Sequence, residues 1–147
     1  MPSSLSLPPP LLPVNRSMPE CVVIPVLHYA DVRAAAAWLC RAFGFAERLR
    51  IGDHRIQLVI GGGAIVVAQS PVATIAAASA HVIMLRVIDV NAHCVHARQG
   101  GATITRSPAD YPYGERQYSA VDLGGHHWTF TQTIADVDPA SWGGELL

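Results

Sequence analysis

The sequence predicts an α+β fold built from two tandem βαβββ units, chiefly because the chain carries an internal repeat. Residues 27–32 (Leu-His-Tyr-Ala-Asp-Val) and 85–90 (Leu-Arg-Val-Ile-Asp-Val) each read as an apolar strand followed by an Asp that can cap a helix. A glycine ends each of the two helices, and three short strand-like runs follow each one. Repeated units of this kind pair around a shared cavity, so the repeat also indicates where a site lies.

The hydrophobic pattern assigns the individual elements. Residues 31–43 form the first predicted helix, because an apolar stripe recurs there at helical spacing and should pack on the sheet. Trp38 lies off that stripe and is interpreted as packing against a neighbouring element or a partner subunit. The second predicted helix spans 89–99, and strands are predicted at 22–29, 46–51, 55–60, 64–69, 81–87, 103–107, 116–121 and 127–131.

Glycines mark the ends and turns of these elements. Gly44 and the Gly100-Gly101 pair stand where the two helices should stop. Residues 51–54 and 60–63 are predicted hairpin turns between strands. A phosphate-binding loop would need a helix after its glycines, and residues 64–69 read as a strand instead.

The chain divides into five predicted segments. These are a Pro-rich N-terminal extension (1–20), a first βαβββ unit (21–70), an Ala-rich linker (71–80), a second unit (81–133) and a C-terminal tail (134–147). The extension has neither a basic region nor an unbroken apolar stretch, so we expect no signal peptide and no membrane span. The extension is interpreted as a disordered or polyproline segment; if it is ordered, Leu11, Leu12 and Val14 are expected to pack on the domain or on a partner chain.

Composition narrows the function classes. The chain has 147 residues, half of them apolar, which is enough for the core of one compact domain. A net charge of −1 without a basic run argues against nucleic-acid binding. The absence of Lys excludes Schiff-base chemistry and a phosphate-loop lysine. Cys21, Cys40 and Cys94 are irregularly spaced, which favours reduced thiols and a cytoplasmic location.

Four stretches of the chain carry a family resemblance. They are Trp-Leu-Cys-Arg-Ala-Phe-Gly-Phe at 38–45, Val-Ile-Asp-Val at 87–90, Tyr-Gly-Glu-Arg-Gln-Tyr at 113–118 and Asp-Leu-Gly-Gly-His-His-Trp at 122–128. In this order and spacing, residues 22–133 resemble the glyoxalase, bleomycin-resistance and extradiol-dioxygenase superfamily, also called vicinal oxygen chelate proteins. One departure is Leu123, which stands where the superfamily commonly has Pro.

The resemblance implies a U-shaped mixed sheet, made of two four-stranded halves, around a cleft. In the metal-dependent enzymes of the superfamily, His, Gln or Glu side chains at inward strand positions hold a divalent ion. Here the corresponding positions carry Ile24, Val66, Val82 and Thr129. None of these supplies the imidazole or carboxylate that such an ion requires, so we expect neither metal nor another cofactor in the cleft.

Histidines leave a metal-dependent alternative open. His28 and His127 share strand parity with Ile24 and Thr129, and with a third donor they would form a metal site. His81 is one residue out of register and should point to the other face of its strand. His93 and His96 are interpreted as a solvated helix surface. Nucleophilic catalysis is not expected, because no nucleophile elbow or catalytic cysteine signature is present.

Strand alternation predicts which side chains line the cleft. Arg86 stands out among them, since an inward cation needs a partner. Two interpretations stay open: an ion pair with an acid such as Glu47 or Asp110, or a clamp on an anionic ligand. Tyr111 and Tyr113 are placed on a Pro-containing loop over the mouth. The predicted ligand-binding residues are His28, Val66, Val82, Met84, Arg86, Tyr113, His127 and Thr129.

Two function classes follow from these residues. The first is a protein that binds or sequesters a small aromatic or amphipathic molecule in a metal-free cleft. The second is a divergent metal-dependent lyase, isomerase or dioxygenase of the same superfamily, and whether the chain catalyses a reaction stays open. A homodimer is expected in either case, because the half-sheets have open edges and both Trp38 and the Leu11-Leu12 pair are apolar candidates for an interface.

Overall fold

A computed structural model of the chain describes residues 13–70 and 81–146, and its elements repeat once. The first unit comprises β1 (Val26–Tyr29), α1 (Val32–Phe43), β2 (Ala46–Ile51), β3 (Arg55–Ile60) and β4 (Gly63–Gln69). The second comprises β5 (Val82–Arg86), α2 (Val90–Gln99), β6 (Thr103–Tyr111), β7 (Glu115–Val121) and β8 (His127–Thr133), and a short 3₁₀ helix (Pro139–Trp142) follows. The predicted α+β class and the two βαβββ units are therefore confirmed. The predicted linker and the Leu11-Leu12 pair lie outside the described residues.

Each unit folds its strands into a four-stranded mixed sheet of the same topology. The strand orders are β1-β4-β3-β2 and β5-β8-β7-β6. In both sheets the outer first strand pairs in parallel with the last strand of its unit, and the remaining pairs are antiparallel. Val26 opposes Val66 in the first sheet, and Met84 opposes Thr129 in the second. The repeat in the sequence therefore corresponds to two sheets with the same strand order and equivalent strand pairing.

Side-chain caps start both helices as the sequence predicted. The Asp31 carboxylate accepts a hydrogen bond from the Ala34 amide at 3.0 Å, and Asp89 accepts one from the Ala92 amide at the same distance. A capping Asp satisfies one of the free amides in the first turn, which fixes where the helix begins. Gly44 ends α1 with a φ of 87°, a left-handed conformation that favours glycine.

The two units share one hydrophobic core. Phe43 at the end of α1 packs edge-on against Trp128 and Phe130 of β8, with ring centroids 5.2 and 4.9 Å apart. Trp38 is buried at 8% exposure and packs edge-on against Phe43. Trp38 therefore contacts its own chain, in agreement with the first of the two interpretations offered for it. As a buried residue it offers no exposed ring to a partner subunit, so that part of the argument for a dimer was wrong.

Two strands differ from their predicted bounds by more than two residues. The first was expected at 22–29 but begins at Val26, because Pro25 has no N–H to donate and contributes only its carbonyl, which accepts from the Val66 amide at 2.9 Å. The sixth was expected to stop at 107 but runs to Tyr111. Pro108 lies in an irregular stretch of this edge strand, between the paired residues Arg106 and Ala109, where a missing donor is tolerated.

Two further expectations need correction. Val14 does not pack on the domain, since it is 96% exposed, which leaves packing on a partner chain as its remaining alternative. His93 was interpreted as part of a solvated helix surface, yet it is half-buried, with Nδ1 2.5 Å from the Tyr118 hydroxyl and its ring 4.3 Å from that of Phe130. Burial and, to a smaller extent, the neighbouring His96 lower the pKa of His93. His93 therefore belongs to the core between α2 and β8.

None of the helices within residues 13–70 and 81–146 combines the length and the apolarity that crossing a membrane requires.

Candidate functional site

Each sheet has one face against the helices and one face turned away from them, which we call the open face. In β8, Trp128 and Phe130 point to the core, so the alternate residues His127, Thr129 and Thr131 belong to the open face. Register extends this face across the sheet, because Val82 opposes His127, Met84 opposes Thr129 and Arg86 opposes Thr131. The predicted residues Val82, Met84, Arg86, His127 and Thr129 therefore lie together on the second open face.

The remaining predicted residues lie elsewhere. His28 and Val66 are on the open face of the first sheet, where Val66 is buried and His28 is exposed. Tyr113 follows β6 in the turn that leads into β7. Tyr111 was predicted in a loop but is the last residue of β6, so this segment is a hairpin rather than a long cover.

A pocket of about 400 Å³ lies on the second open face. Three of the eight predicted ligand-binding residues, Met84, Arg86 and Tyr113, line it. The residues that the sequence reasoning missed are Glu115, Gln117, Thr131 and Trp142. Strand alternation could have found Glu115, Gln117 and Thr131, which continue the open face from Tyr113 and Thr129. Nothing in the sequence pattern connects Trp142 to this face, since it lies beyond the last strand.

The pocket has a polar floor made of Glu115, Gln117 and Thr131. Hydrogen bonds among these side chains, and one from Tyr113, keep the floor ordered. The Tyr113 hydroxyl donates to Gln117 Oε1 at 3.0 Å, and Gln117 Nε2 donates to Thr131 Oγ1 at 3.1 Å. Thr131 Oγ1 in turn donates to Glu115 Oε1 at 2.7 Å. Since Gln117 and Thr131 are both buried, this chain of donors fixes their rotamers. The floor is therefore held in place before any ligand arrives.

Aromatic rings form the side of the pocket. Tyr111 and Tyr113 stack with centroids 5.4 Å apart, and Trp142 meets Tyr113 edge-on at 5.5 Å. The C-terminal segment brings Trp142 there by docking on the Gly114 turn, where the Ile134 amide donates to the Gly114 carbonyl at 2.9 Å. Trp142 remains 44% exposed, so its ring has surface available for a further contact.

Arg86 is the cation of the pocket, and the ion pair considered for it is not formed. Glu47 pairs with Arg50 at 2.6 Å, and Asp110 pairs with Arg116 at 2.7 Å. Within the described part of the chain, the only hydrogen bond from the Arg86 side chain goes to Thr133 Oγ1 at 3.2 Å. Because a guanidinium has five N–H donors, most of its capacity is available to a ligand.

The metal positions implied by the family do not fit a divalent ion. Val66 and Thr129 occupy equivalent places in the two sheets, and Val82 lies one step from Thr129 on the open face. Aliphatic side chains and one hydroxyl provide no imidazole or carboxylate. His28 and His127 lie on different sheets. Among residues 13–70 and 81–146, no three His, Cys, Asp or Glu side chains are grouped so as to hold a metal ion.

Comparison with known proteins agrees with this architecture. TioX from Micromonospora sp. ML1 is 35% identical over 76% of this chain and 97% of its own, with a TM-score of 0.64. The bleomycin-binding protein of Streptomyces verticillus, solved with copper(II)-bleomycin, is 18% identical over 75% and 93% of the two chains, with a TM-score of 0.60. TnmS3, an antibiotic-binding protein from Streptomyces sp. CB03234, is 21% identical over the same shares, with a TM-score of 0.62.

No curated protein sequence gives a significant match. The family model described as Glyoxalase/Bleomycin resistance protein/Dioxygenase superfamily matches residues 23–130, from the start of the first unit into the last strand of the second. The duplicated fold, the shared sheet register and this match lead to one conclusion: the chain belongs to the glyoxalase/bleomycin resistance protein/dioxygenase superfamily.

Proposed function

We propose that this protein binds a small aromatic or amphipathic molecule in the pocket of the second open face, without a metal ion. The observation that carries the proposal is the pairing of an aromatic and apolar wall with Arg86, a cation that has no acidic partner within 4 Å among the described residues. Small-molecule sites have this character: mostly apolar lining with a few polar groups that fix orientation.

The lining supports a particular kind of ligand. Met84, Tyr113 and Trp142 offer surfaces on which a planar ring can stack, whereas Gln117 already donates to Thr131 and Thr131 donates to Glu115. Arg86 then provides the main free donors. The pocket is thus suited to a compound with an apolar planar part and an anionic or hydrogen-bond-accepting group beside Arg86.

Two structural neighbours and the residues at the metal positions favour binding over catalysis. Two structural neighbours are described as binding proteins, one for bleomycin and one for an antibiotic. The donor set that the metal-dependent enzymes of the superfamily would need is replaced here by Val66, Val82 and Thr129. We therefore propose binding or sequestration, and elemental analysis of the purified protein should find less than one bound transition-metal ion per chain.

Isothermal titration calorimetry tests the role of Arg86. The ligands are a panel of aromatic carboxylates together with metal-free bleomycin as a glycopeptide. A charge-assisted hydrogen bond contributes about 1.5–3 kcal/mol, so Arg86→Ala should weaken the binding of any hit roughly ten- to hundredfold. Arg98→Ala, an exposed arginine on α2, is the matched control and should bind as the wild type does. Equal affinity in both variants would remove Arg86 from the site.

We further propose that the protein is a cytoplasmic homodimer. Its open faces expose apolar side chains outside the pocket, among them Val26 at 41% and Val82 at 56% exposure. Apolar surface of this kind favours association with a second copy. The three cysteines are unpaired, as expected for a reducing compartment.

A further inference from the structure

The open face of the first sheet differs from that of the second because a segment of the chain itself lies against part of it. Residues 15–18, which we call the N-terminal strap, are followed by the buried Pro19 and run beside Arg48 and Gln57. Arg48 Nη2 donates to the Arg16 carbonyl at 2.9 Å, and Gln57 Nε2 donates to the Ser17 carbonyl at 2.8 Å. Two successive backbone carbonyls of the strap are therefore bound by two side chains of the sheet.

The two donors form a preorganised pair. Arg48 Nη1 donates to Gln57 Oε1 at 2.7 Å, which orients the amide so that its Nε2 faces the strap. Arg48 lies in the irregular stretch of β2 between the paired residues Glu47 and Leu49, and such a bulge redirects a side chain. Gln57 opposes Val66 in the middle of the sheet and is only 4% exposed. If the strap left, the Gln57 donor would lose its carbonyl partner on the sheet surface.

The strap makes no side-chain contribution to this contact. Its own turn is held by Asn15, whose carbonyl accepts from the Met18 amide at 3.1 Å and whose side chain accepts from the Ser17 amide at 3.0 Å. The contacts from the sheet reach only main-chain carbonyls, which every peptide carries. Arg48 and Gln57 thus recognise a chemical group, adjacent amide carbonyls, rather than a particular side chain.

We propose that Arg48 and Gln57 form a second binding site, specific for adjacent amide carbonyls of a peptide-like ligand in a turn, and that the N-terminal strap occupies this site in cis. The strap then acts as an internal competitor: a ligand must displace residues 15–18 to reach Arg48 and Gln57. Because a tethered segment has an effective concentration near the millimolar range, only a ligand with further contacts on the sheet competes well. This site is separate from the Arg86 pocket and does not depend on its function.

Limited trypsin digestion of the full-length protein tests whether the strap is seated. The chain has no Lys, so trypsin cuts only after Arg, and the Arg16–Ser17 bond lies within the strap. Loss of the Arg48 contact should raise the open population, so Arg48→Ala should speed cleavage at Arg16 about tenfold. The matched control is Arg50→Ala, because Arg50 lies on the same strand but pairs with Glu47. Equal cleavage rates at Arg16 in wild type and Arg48→Ala would overturn the proposal.

Fluorescence anisotropy tests the ligand class. The probe is a labelled peptide with the sequence of residues 14–20, in which Ala replaces Arg16. Pro19→Asp places a charge at a buried position and should release the strap, and Asn15→Ala removes its turn as a milder alternative; circular dichroism and a thermal melt verify that each variant is folded. We expect the probe to bind both variants at least about tenfold more tightly than the wild type. It should not bind Pro19→Asp/Arg48→Ala.

Each other outcome contradicts the proposal. Equal probe affinity for wild type and both folded release variants would show that the strap is not a competitor. Binding that persists without Arg48 would show that the carbonyl pair is not the site. Ligands of the Arg86 pocket should bind Arg48→Ala normally, so a failure of that pocket and a failure of the strap proposal are distinguished by the same set of proteins.

Discussion

At the scale of single residues, Asp122 holds the two halves of the molecule together. This buried carboxylate has no cationic partner among the described residues and is satisfied by four hydrogen-bond donors. On Oδ2 these are the Tyr29 hydroxyl at 2.6 Å and Trp128 Nε1 at 2.9 Å; on Oδ1 they are the amides of Gly124 at 2.9 Å and His126 at 3.0 Å. Burial, and next the Asp122 charge, raise the pKa of Tyr29, so the phenol stays protonated and donates.

Asp122→Asn should therefore be strongly destabilising. The new amide group would place a donor against two existing donors, whichever way it is turned, and buried polar groups without partners cost about 1–3 kcal/mol each. We expect a loss of about 3 kcal/mol in the free energy of unfolding, measured by urea denaturation. Asp136→Asn, in the exposed C-terminal segment, is the control and should be neutral. A change of less than about 1 kcal/mol in the free energy of unfolding would mean that the four hydrogen bonds to Asp122 contribute little to stability.

His93 should make stability depend on pH. Its pKa in the folded protein lies below the usual value of about 6.5, chiefly through burial, so the folded state binds the proton less readily than the unfolded state. Stability is then complete above about pH 6.5 and falls as the pH drops from that value towards the lowered pKa. His93→Gln should flatten the curve of unfolding free energy in this window, whereas His54→Gln, in an exposed turn, should not. A curve unchanged by His93→Gln would contradict the assignment.

At the scale of elements, local chemistry decided which bounds the sequence could predict. Both helices were predicted to within one residue, because Asp caps and glycine stops act on the adjacent backbone. The bounds of β1 and β6 were missed because they depend on the partner strand: Pro25 lies where pairing with β4 begins, and Pro108 is accommodated by an unpaired stretch at a sheet edge. The strap on β2 and β3 and the docking of Trp142 are tertiary contacts without periodicity, so no sequence pattern reports them.

The Gly114 turn is the element that ties the C-terminal segment to the pocket. Gly114 has a φ of 82°, and a Cβ there would collide with the Ala135 carbonyl and touch Val137 at 3.0 Å. Gly114→Ala should displace this segment and move Trp142 away from Tyr113, in addition to the strain of a left-handed alanine. We expect a more exposed tryptophan, seen as a red shift of emission and faster acrylamide quenching. The control is Gly62→Ala, at a turn glycine with open space around it, and it should leave the emission unchanged.

At the scale of the whole molecule, the two βαβββ units share one fold but differ in what lies on their open faces. On the first open face the strap lies over Arg48 and Gln57, whereas the second has a hydrogen-bonded polar floor and an open pocket. Strand alternation placed Met84 and Arg86 on the open face, and both line the pocket. The ion pair considered for Arg86 was wrong, because Glu47 and Asp110 each have a nearer arginine on their own hairpins.

The association state is a further prediction at this scale. Exposed apolar residues on the open faces outside the pocket, such as Val26 and Val82, should be covered by a second copy in solution. Light scattering at micromolar concentration is expected to give about twice the chain mass of 15.7 kDa. Val82→Glu should shift the protein towards the monomer, whereas Val95→Glu, at an exposed position on α2, should not. A wild-type monomer at these concentrations would contradict the dimer.

The central claim is that a ligand occupies the second open face beside Trp142, and tryptophan fluorescence tests it most directly. Of the three tryptophans, Trp38 and Trp128 are buried at 8% and 0% exposure, and Trp142 is 44% exposed in the pocket wall. For any aromatic compound found by calorimetry, we expect a saturable change in emission in the wild type that is lost in Trp142→Phe. A saturable change of the same size in Trp142→Phe would place the ligand elsewhere and contradict the account.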